Sequence, residues 1–183
     1  MDPIVLRRKS WLIFSGLVIL GSGVGMLAAV VNVTSVNGFQ TGWQGVPVFF
    51  AFVGVVSRVA NCKVILLGSK LIVVNPLRTT IVPMTIIRGA SVSDDGTLQV
   101  QIGDDQNIPV FAFGGSLVDR FKDTSSEAAQ RIDSWLRSDN PVSDGRAALQ
   151  VRWTRCTSAD LCLILCAVIS GAGALWMALG SNN

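Results

Sequence analysis

The sequence predicts an α+β membrane protein in which three transmembrane helices flank a small, mostly β domain. Three observations predict this. From Ser10 to Ser57 the chain runs for 48 residues without a charged side chain, and Leu161–Asn183 forms a second uncharged run. Between the two runs the apolar pattern breaks into short segments rich in Val, Ile, Leu and Thr. The excess of positive charge lies beside the uncharged runs, whereas the segment between them is close to neutral. Charges are costly at bilayer depth, and ~20 apolar helical residues cross ~30 Å of hydrocarbon.

The first span is expected over Trp11–Val31, the second over about Trp43–Ser57 and the third over Leu161–Gly180. Gly45 and Pro47 suit the start of the second span, where proline's missing N–H costs little, and Trp43 suits the outer interface. From Trp43 to Ser57 is only 15 residues. Such a span lengthens if Arg58 snorkels and the helix continues towards Ala60. A re-entrant segment would leave Arg58 and the polar domain on the outer face, against the charge rule. A cleaved signal peptide competes for the N-terminus, but the apolar run is longer than a typical h-region and another span follows almost at once. The expected organisation is a transmembrane hairpin over 1–60, a soluble domain over 61–140, a juxtamembrane linker over 141–160 and a final transmembrane helix over 161–183.

Arg7, Arg8 and Lys9 precede the first span, Arg58 and Lys63 follow the second, and Arg152 and Arg155 precede the third. The segment Asn32–Gly42 and the tail Ser181–Asn183 carry no charge. The positive-inside rule then puts the N-terminus and the soluble domain in the cytoplasm. The middle section, 60–140, holds eight basic and nine acidic residues. The chain's basic balance therefore reports topology, and nucleic acid is not an expected partner.

In the soluble segment, strands are expected at Cys62–Leu67, Lys70–Asn75, Leu77–Val82, Ile86–Val92, Thr97–Ile102 and Ile108–Phe113, separated by Gly, Pro, Asn and Asp turns. Thr97–Ile102 alternates strictly, so Leu98, Val100 and Ile102 face a core and Gln99 and Gln101 face water. Thr124-Ser125-Ser126-Glu127 has capping-box spacing, with Ala128, Ile132, Trp135 and Leu136 on one helical face behind it. The product is an antiparallel sheet of six to seven strands closed by one amphipathic helix.

The order Leu77-Arg78-Thr79-Thr80-Ile81-Val82-Pro83-Met84-Thr85-Ile86-Ile87, then Asp95-Gly96, a strand, Gly103-Asp104, Ile108-Pro109-Val110 and a closing helix resembles bacterial pleckstrin-homology-like (PH-like) domains. The resemblance is nearest to those of actinobacterial membrane proteins, which place a helical hairpin before the domain. It covers about 60–140. Val82-Pro83-Met84-Thr85-Ile86 matches the family's corner sequence, with Met84 where tryptophan is frequent. The resemblance implies a partly opened β-barrel or sandwich capped by a C-terminal helix, and binding of lipid headgroups or protein partners. It is silent on the third membrane helix.

Lys63, Lys70 and Arg78 are the cations placed to meet an anionic headgroup. Three dispersed cations make a weaker phosphate cradle than several converging donors. Solvated strand-end charge is the plainer reading, and protein contact through the domain surface is preferred. No histidine or tyrosine occurs anywhere, which removes the commonest general base and metal ligand. Asp94-Asp95 and Asp104-Asp105 sit in glycine-containing turns, where turn formation accounts for them. Gly21-Ser22-Gly23-Val24-Gly25 lies inside a hydrophobic span with no following Lys-Ser or Lys-Thr, so it is not a nucleotide loop. Cys62, Cys156, Cys162 and Cys166 lack CxxC spacing and read as packing residues. No catalytic residue, cofactor or metal is expected.

Gly21 and Gly25 form GxxxG on the first span. On the third, Ala167 with Gly171, and Ser170 with Ala174, repeat small-xxx-small spacing. Such faces let helices approach closely, either within the chain or against another subunit. Packing within the chain is preferred, and the two uses are compatible. The expectation is a non-enzymatic protein of the bacterial inner (plasma) membrane, acting as an accessory or scaffolding subunit. Its partners would be membrane lipids and other integral membrane subunits, or a second copy of itself. The alternative is a module that senses anionic lipid headgroups.

Overall fold

The computed structural model describes residues 3–103, 106–114, 124–138 and 148–180. Two compact units emerge, one comprising 1–8 and 61–154 and the other 9–60 and 155–183.

Among the described residues, the first unit contains eight short strands and one α-helix. The strands are β1 (Ile4–Leu6), β2 (Lys63–Leu67), β3 (Lys70–Val74), β4 (Arg78–Pro83), β5 (Ile87–Val92), β6 (Leu98–Ile102), β7 (Gln106–Pro109) and β8 (Gln150–Trp153). They form two antiparallel sheets, ordered β1-β2-β3-β4-β8 and β5-β6-β7. The sheets do not join into a closed barrel, and two antiparallel sheets with eight described strands stand where the strand pattern suggested one sheet of six to seven. Left-handed backbone falls on glycine at Gly68 (φ 49°) between β2 and β3, at Gly96 (φ 82°) between β5 and β6, and at Gly103 (φ 56°) after β6.

The expected alternation on β6 holds: Leu98, Val100 and Ile102 are buried, whereas Gln101 is exposed. They share one core with Val64, Leu66, Leu71, Val73 and Val82 from the larger sheet. The amphipathic helix begins at Thr124, the residue expected to cap it, and runs to Ser138. It buries Ala128, Ala129, Ile132 and Trp135 in that core. Asp133 on this helix accepts the Ala90 N–H at 3.1 Å, just past the register shift between Ile87 and Gly89. A bulge frees an amide from the ladder, and the carboxylate satisfies it.

Val82-Pro83-Met84-Thr85-Ile86 makes the corner between the two sheets. Val82 and Pro83 end β4, and Met84–Ile86 forms a 3-10 turn leading into β5. Met84 is buried in the core, and its N–H donates to Ser69 O at 2.8 Å.

Neither β1 nor β8 follows from the sequence pattern. β1 lies ahead of the first apolar run, and β8 lies in the segment expected to be a linker. They are the edge strands of the larger sheet, so the unit takes in chain from both sides of the soluble segment.

The second unit contains α1 (Lys9–Asn37), α2 (Phe39–Gly42), α3 (Gly45–Ala60) and a final helix, Thr157–Gly180. With the closing helix of the first unit named α4 (Thr124–Ser138), this last helix is α5. Among the described residues, three helical segments are long and apolar enough to cross a membrane: Lys9–Asn37, Phe39–Ala60 and Thr157–Gly180. The short second span gains its length from α2, a one-turn extension before Gly45, making 22 residues in all.

Candidate membrane-contact and helix-packing sites

The strand register decides which cations come together. Lys63 faces Val74, Val74 faces Thr79 and Thr79 faces Arg152, while Arg78 faces Trp153 one step further along. Lys63, Arg78 and Arg152 therefore share one end of the larger sheet. Arg7 and Arg8 follow directly on Leu6, which faces Val64 at that same end. Lys70 faces Pro83 at the far end, four residues along β3 from Val74, or ~13 Å. The structure thus joins two of the three expected cations and separates the third. Arg7, Arg8 and Arg152 were not named for this role, because their strands were not visible in the sequence. Lys63 is half-buried, and Lys70 and Arg78 are exposed.

A compact network fixes the turn at this end. The Asn75 side chain donates to Pro109 O at 3.0 Å and accepts the Phe111 N–H at 2.9 Å. Thr154 Oγ1 donates to the Asn75 carbonyl at 2.8 Å and lies 2.9 Å from Thr79 Oγ1. The Thr154 N–H reaches Leu77 O at 3.1 Å. Thr154 is 2% exposed, so these bonds satisfy a buried hydroxyl and fasten β8 to the β3–β4 turn.

The Asp94-Asp95 pair serves its turn. Asp95 Oδ1 accepts the Thr97 N–H at 2.9 Å, and hydrogen bonding from Thr97 holds the Asp95 carboxyl below its ordinary pKa. Asp104 and Asp105 lie outside the described residues. Among the described residues no three or more His, Cys, Asp or Glu side chains converge as a metal site. An open groove beside α4 is lined by Gln130, Asp133, Ser134, Arg137 and Ser138, and its carboxylate is the one already bonded to Ala90. All four cysteines are free thiols.

In the helical unit α3 packs against both α1 and α5, and glycines mark the closest approaches. A Cβ added at Gly173 on α5 would overlap the Trp43 ring, and one at Gly42 would overlap Thr34. One at Gly54 would lie 3.1 Å from Leu163 and 3.3 Å from Ala159 O, and one at Gly45 would lie 2.7 Å from Met26 Sδ. Arg58 in the last turn of α3 pairs with Asp160 in the first turn of α5 at 2.5 Å. Each charge also complements its own helix end. Arg58 is therefore held by a carboxylate, where the sequence suggested snorkelling.

The small residues singled out by spacing lie elsewhere. Gly21, Gly25, Ala167, Ser170, Gly171 and Ala174 are all exposed. A Cβ added at Gly21, Gly25 or Gly171 would meet nothing within 4 Å. Packing within the chain, the preferred use of these glycines, is thus carried by other glycines. Spacing identifies small faces but cannot say which face a neighbouring helix covers.

The fold class is α+β, with antiparallel sheets and three helices apolar enough to span a membrane. No protein-family model, no curated protein and no solved structure matches the chain.

Proposed function

We propose that this chain is a non-enzymatic integral protein of the bacterial inner membrane, an accessory or scaffolding subunit that docks other membrane helices. The observation that carries this reading is the division of labour among its glycines. Gly42, Gly45, Gly54 and Gly173 accommodate the chain's own helices, whereas Gly21, Gly25 and Gly171 leave small, exposed faces uncovered. In hydrocarbon, where apolar burial gives no drive to associate, small faces favour close helix contact. The occupant is another integral membrane subunit or a second copy of this chain.

The soluble unit is read as a PH-like interaction domain on the cytoplasmic side. What supports this is the run of strands, the Val82–Ile86 corner between sheets and the closing helix Thr124–Ser138. The five-plus-three strand arrangement, with β1 and β8 added at the edges, departs from the family pattern. The cytoplasmic assignment rests on the arginines and lysines beside the helices.

Replacing Gly21 and Gly25 together by Leu tests the docking role. The purified variant should keep the parent's stability in mild detergent, because a Cβ at either position has no neighbour within 4 Å and both positions are exposed. The larger assembly extracted from membranes should disappear on a native gel, and its co-purifying subunits should vanish from mass spectrometry. An assembly of unchanged size would contradict the proposal.

A further inference from the structure

We infer that the end of the larger sheet bearing Lys63, Leu77, Arg78, Arg152 and Trp153 is a membrane-surface contact that seats on an anionic lipid leaflet. This surface is distinct from the helix faces above and rests only on α1, α3 and α5 lying in a bilayer. Three independent features of the soluble unit converge on it.

The first is where the chain leaves the sheet. β1 and β8 end, and β2 begins, at this same end, as the antiparallel register requires. Only Arg7-Arg8 separates β1 from α1, Asn61-Cys62 separates α3 from β2, and Thr154–Cys156 separates β8 from α5. A fully extended residue spans at most ~3.6 Å, so each strand end lies within ~10–15 Å of a helix end, whatever the orientation of the two units. Three short tethers at one end hold that end near the headgroups.

The second is charge. Residues 3–8, 61–83 and 148–156, which supply all five strands of this sheet, contain Arg7, Arg8, Lys63, Lys70, Arg78, Arg152 and Arg155 and no Asp or Glu. All but Lys70 lie at the tethered end or in the links that follow it. The acidic side chains described in the rest of this unit, Asp94, Asp95, Glu127 and Asp133, belong to the smaller sheet's hairpin and to α4. Clustered juxtamembrane cations are attracted to anionic headgroups, and the attraction fades within a Debye length.

The third is apolar exposure at the same place. Leu77, on the β3–β4 turn, is 54% exposed and Trp153 is 63% exposed. The Thr154 N–H bond to Leu77 O braces the first, and strand pairing opposite Arg78 places the second. An exposed leucine on a braced turn, beside a tryptophan and several arginines, is poorly suited to bulk water. It suits the headgroup–acyl boundary, where aromatic and long basic side chains are enriched. The single lysine of the β2–β3 turn, the other place to look for a phosphate contact, is at the opposite end.

The test uses the full chain in nanodiscs, with its four cysteines replaced by Ala and one cysteine introduced at Leu77 or, as control, at Asp94. Each is labelled with an environment-sensitive fluorophore. Discs are made from phosphatidylglycerol or from phosphatidylcholine, with or without a lipid spin-labelled near the headgroup. The label at 77 should be quenched by the spin label in phosphatidylglycerol, and the label at 94 should not. Combined Lys63→Glu, Arg78→Glu and Arg152→Glu substitutions should abolish quenching at 77, while Gln at the same positions reports whether the fold survives charge removal. Hydrogen exchange on the unsubstituted protein should show greater protection around 76–78 in phosphatidylglycerol than in phosphatidylcholine. A label at 77 as solvated as that at 94 in phosphatidylglycerol would overturn the inference and leave an acidic protein surface as the occupant. Equal quenching in both lipids would overturn the role of the cations. Failure to reconstitute into discs would instead count against the membrane-integral reading itself.

Discussion

Replacing Trp135 by Ala is expected to unfold the soluble unit at a temperature more than ~10 °C below the parent's. Trp135 is 7% exposed, on the face of α4 that also buries Ala128 and Ile132. Those residues share a core with Leu98 and Val100 of β6 and with Val64 and Val82 of the larger sheet. Truncating a buried tryptophan removes its transfer free energy and leaves a cavity, together costing ~3–5 kcal/mol. Domains of this size have only ~5–15 kcal/mol to lose. The measurement belongs on the full chain, because a fragment limited to 61–140 would lack both edge strands, β1 and β8. An unchanged melting transition would mean that α4 does not close the core.

A second large effect is expected at Gly173. Leucine there has no room, because even its Cβ would overlap the Trp43 ring, and Trp43 lies between α2 and α3. Overpacking of this kind costs ~1–3 kcal/mol or more. The Gly173→Leu protein should lose thermal stability in detergent and aggregate early on size-exclusion chromatography. Gly171→Leu, two residues away, should behave like the parent, since nothing lies within 4 Å of a Cβ there. Equal behaviour of the two variants would show that Trp43 does not pack against α5 at Gly173.

The contrast between these glycines marks how far the sequence could be read. A run without charges is a one-dimensional signal, so the three apolar helices were legible, and only the one-turn α2 before Gly45 was not. Strict alternation made β6 legible down to the facing of Leu98, Val100 and Ile102. β1 and β8 were not, for a physical reason. They are three and four residues long, and every side chain of Gln150–Trp153 is exposed, so neither leaves an alternating pattern of burial.

The cationic end was invisible for the same cause. Without those two strands nothing relates Arg7 or Arg152 to Lys63, and only the register shows that Lys70 sits apart. Spacing identified Gly21 and Gly25 as small neighbours on one helix face. It could not tell that α3 meets α1 elsewhere, at Met26, or that α2 meets it at Thr34.

Cysteine accessibility in intact cells tests the central claim, a membrane-integral chain with its soluble unit on the cytoplasmic side. In a background with the four native cysteines replaced by Ala, single cysteines are placed at Thr41 and at Asp95. Both positions are exposed, at the α1–α3 connection and on the β5–β6 turn respectively. A membrane-impermeant thiol reagent should label position 41 in intact cells and reach position 95 only after permeabilisation. Labelling at 95 in intact cells, with 41 protected, would contradict the orientation that the arginines and lysines imply. Labelling at both positions before permeabilisation would contradict a membrane-crossing chain.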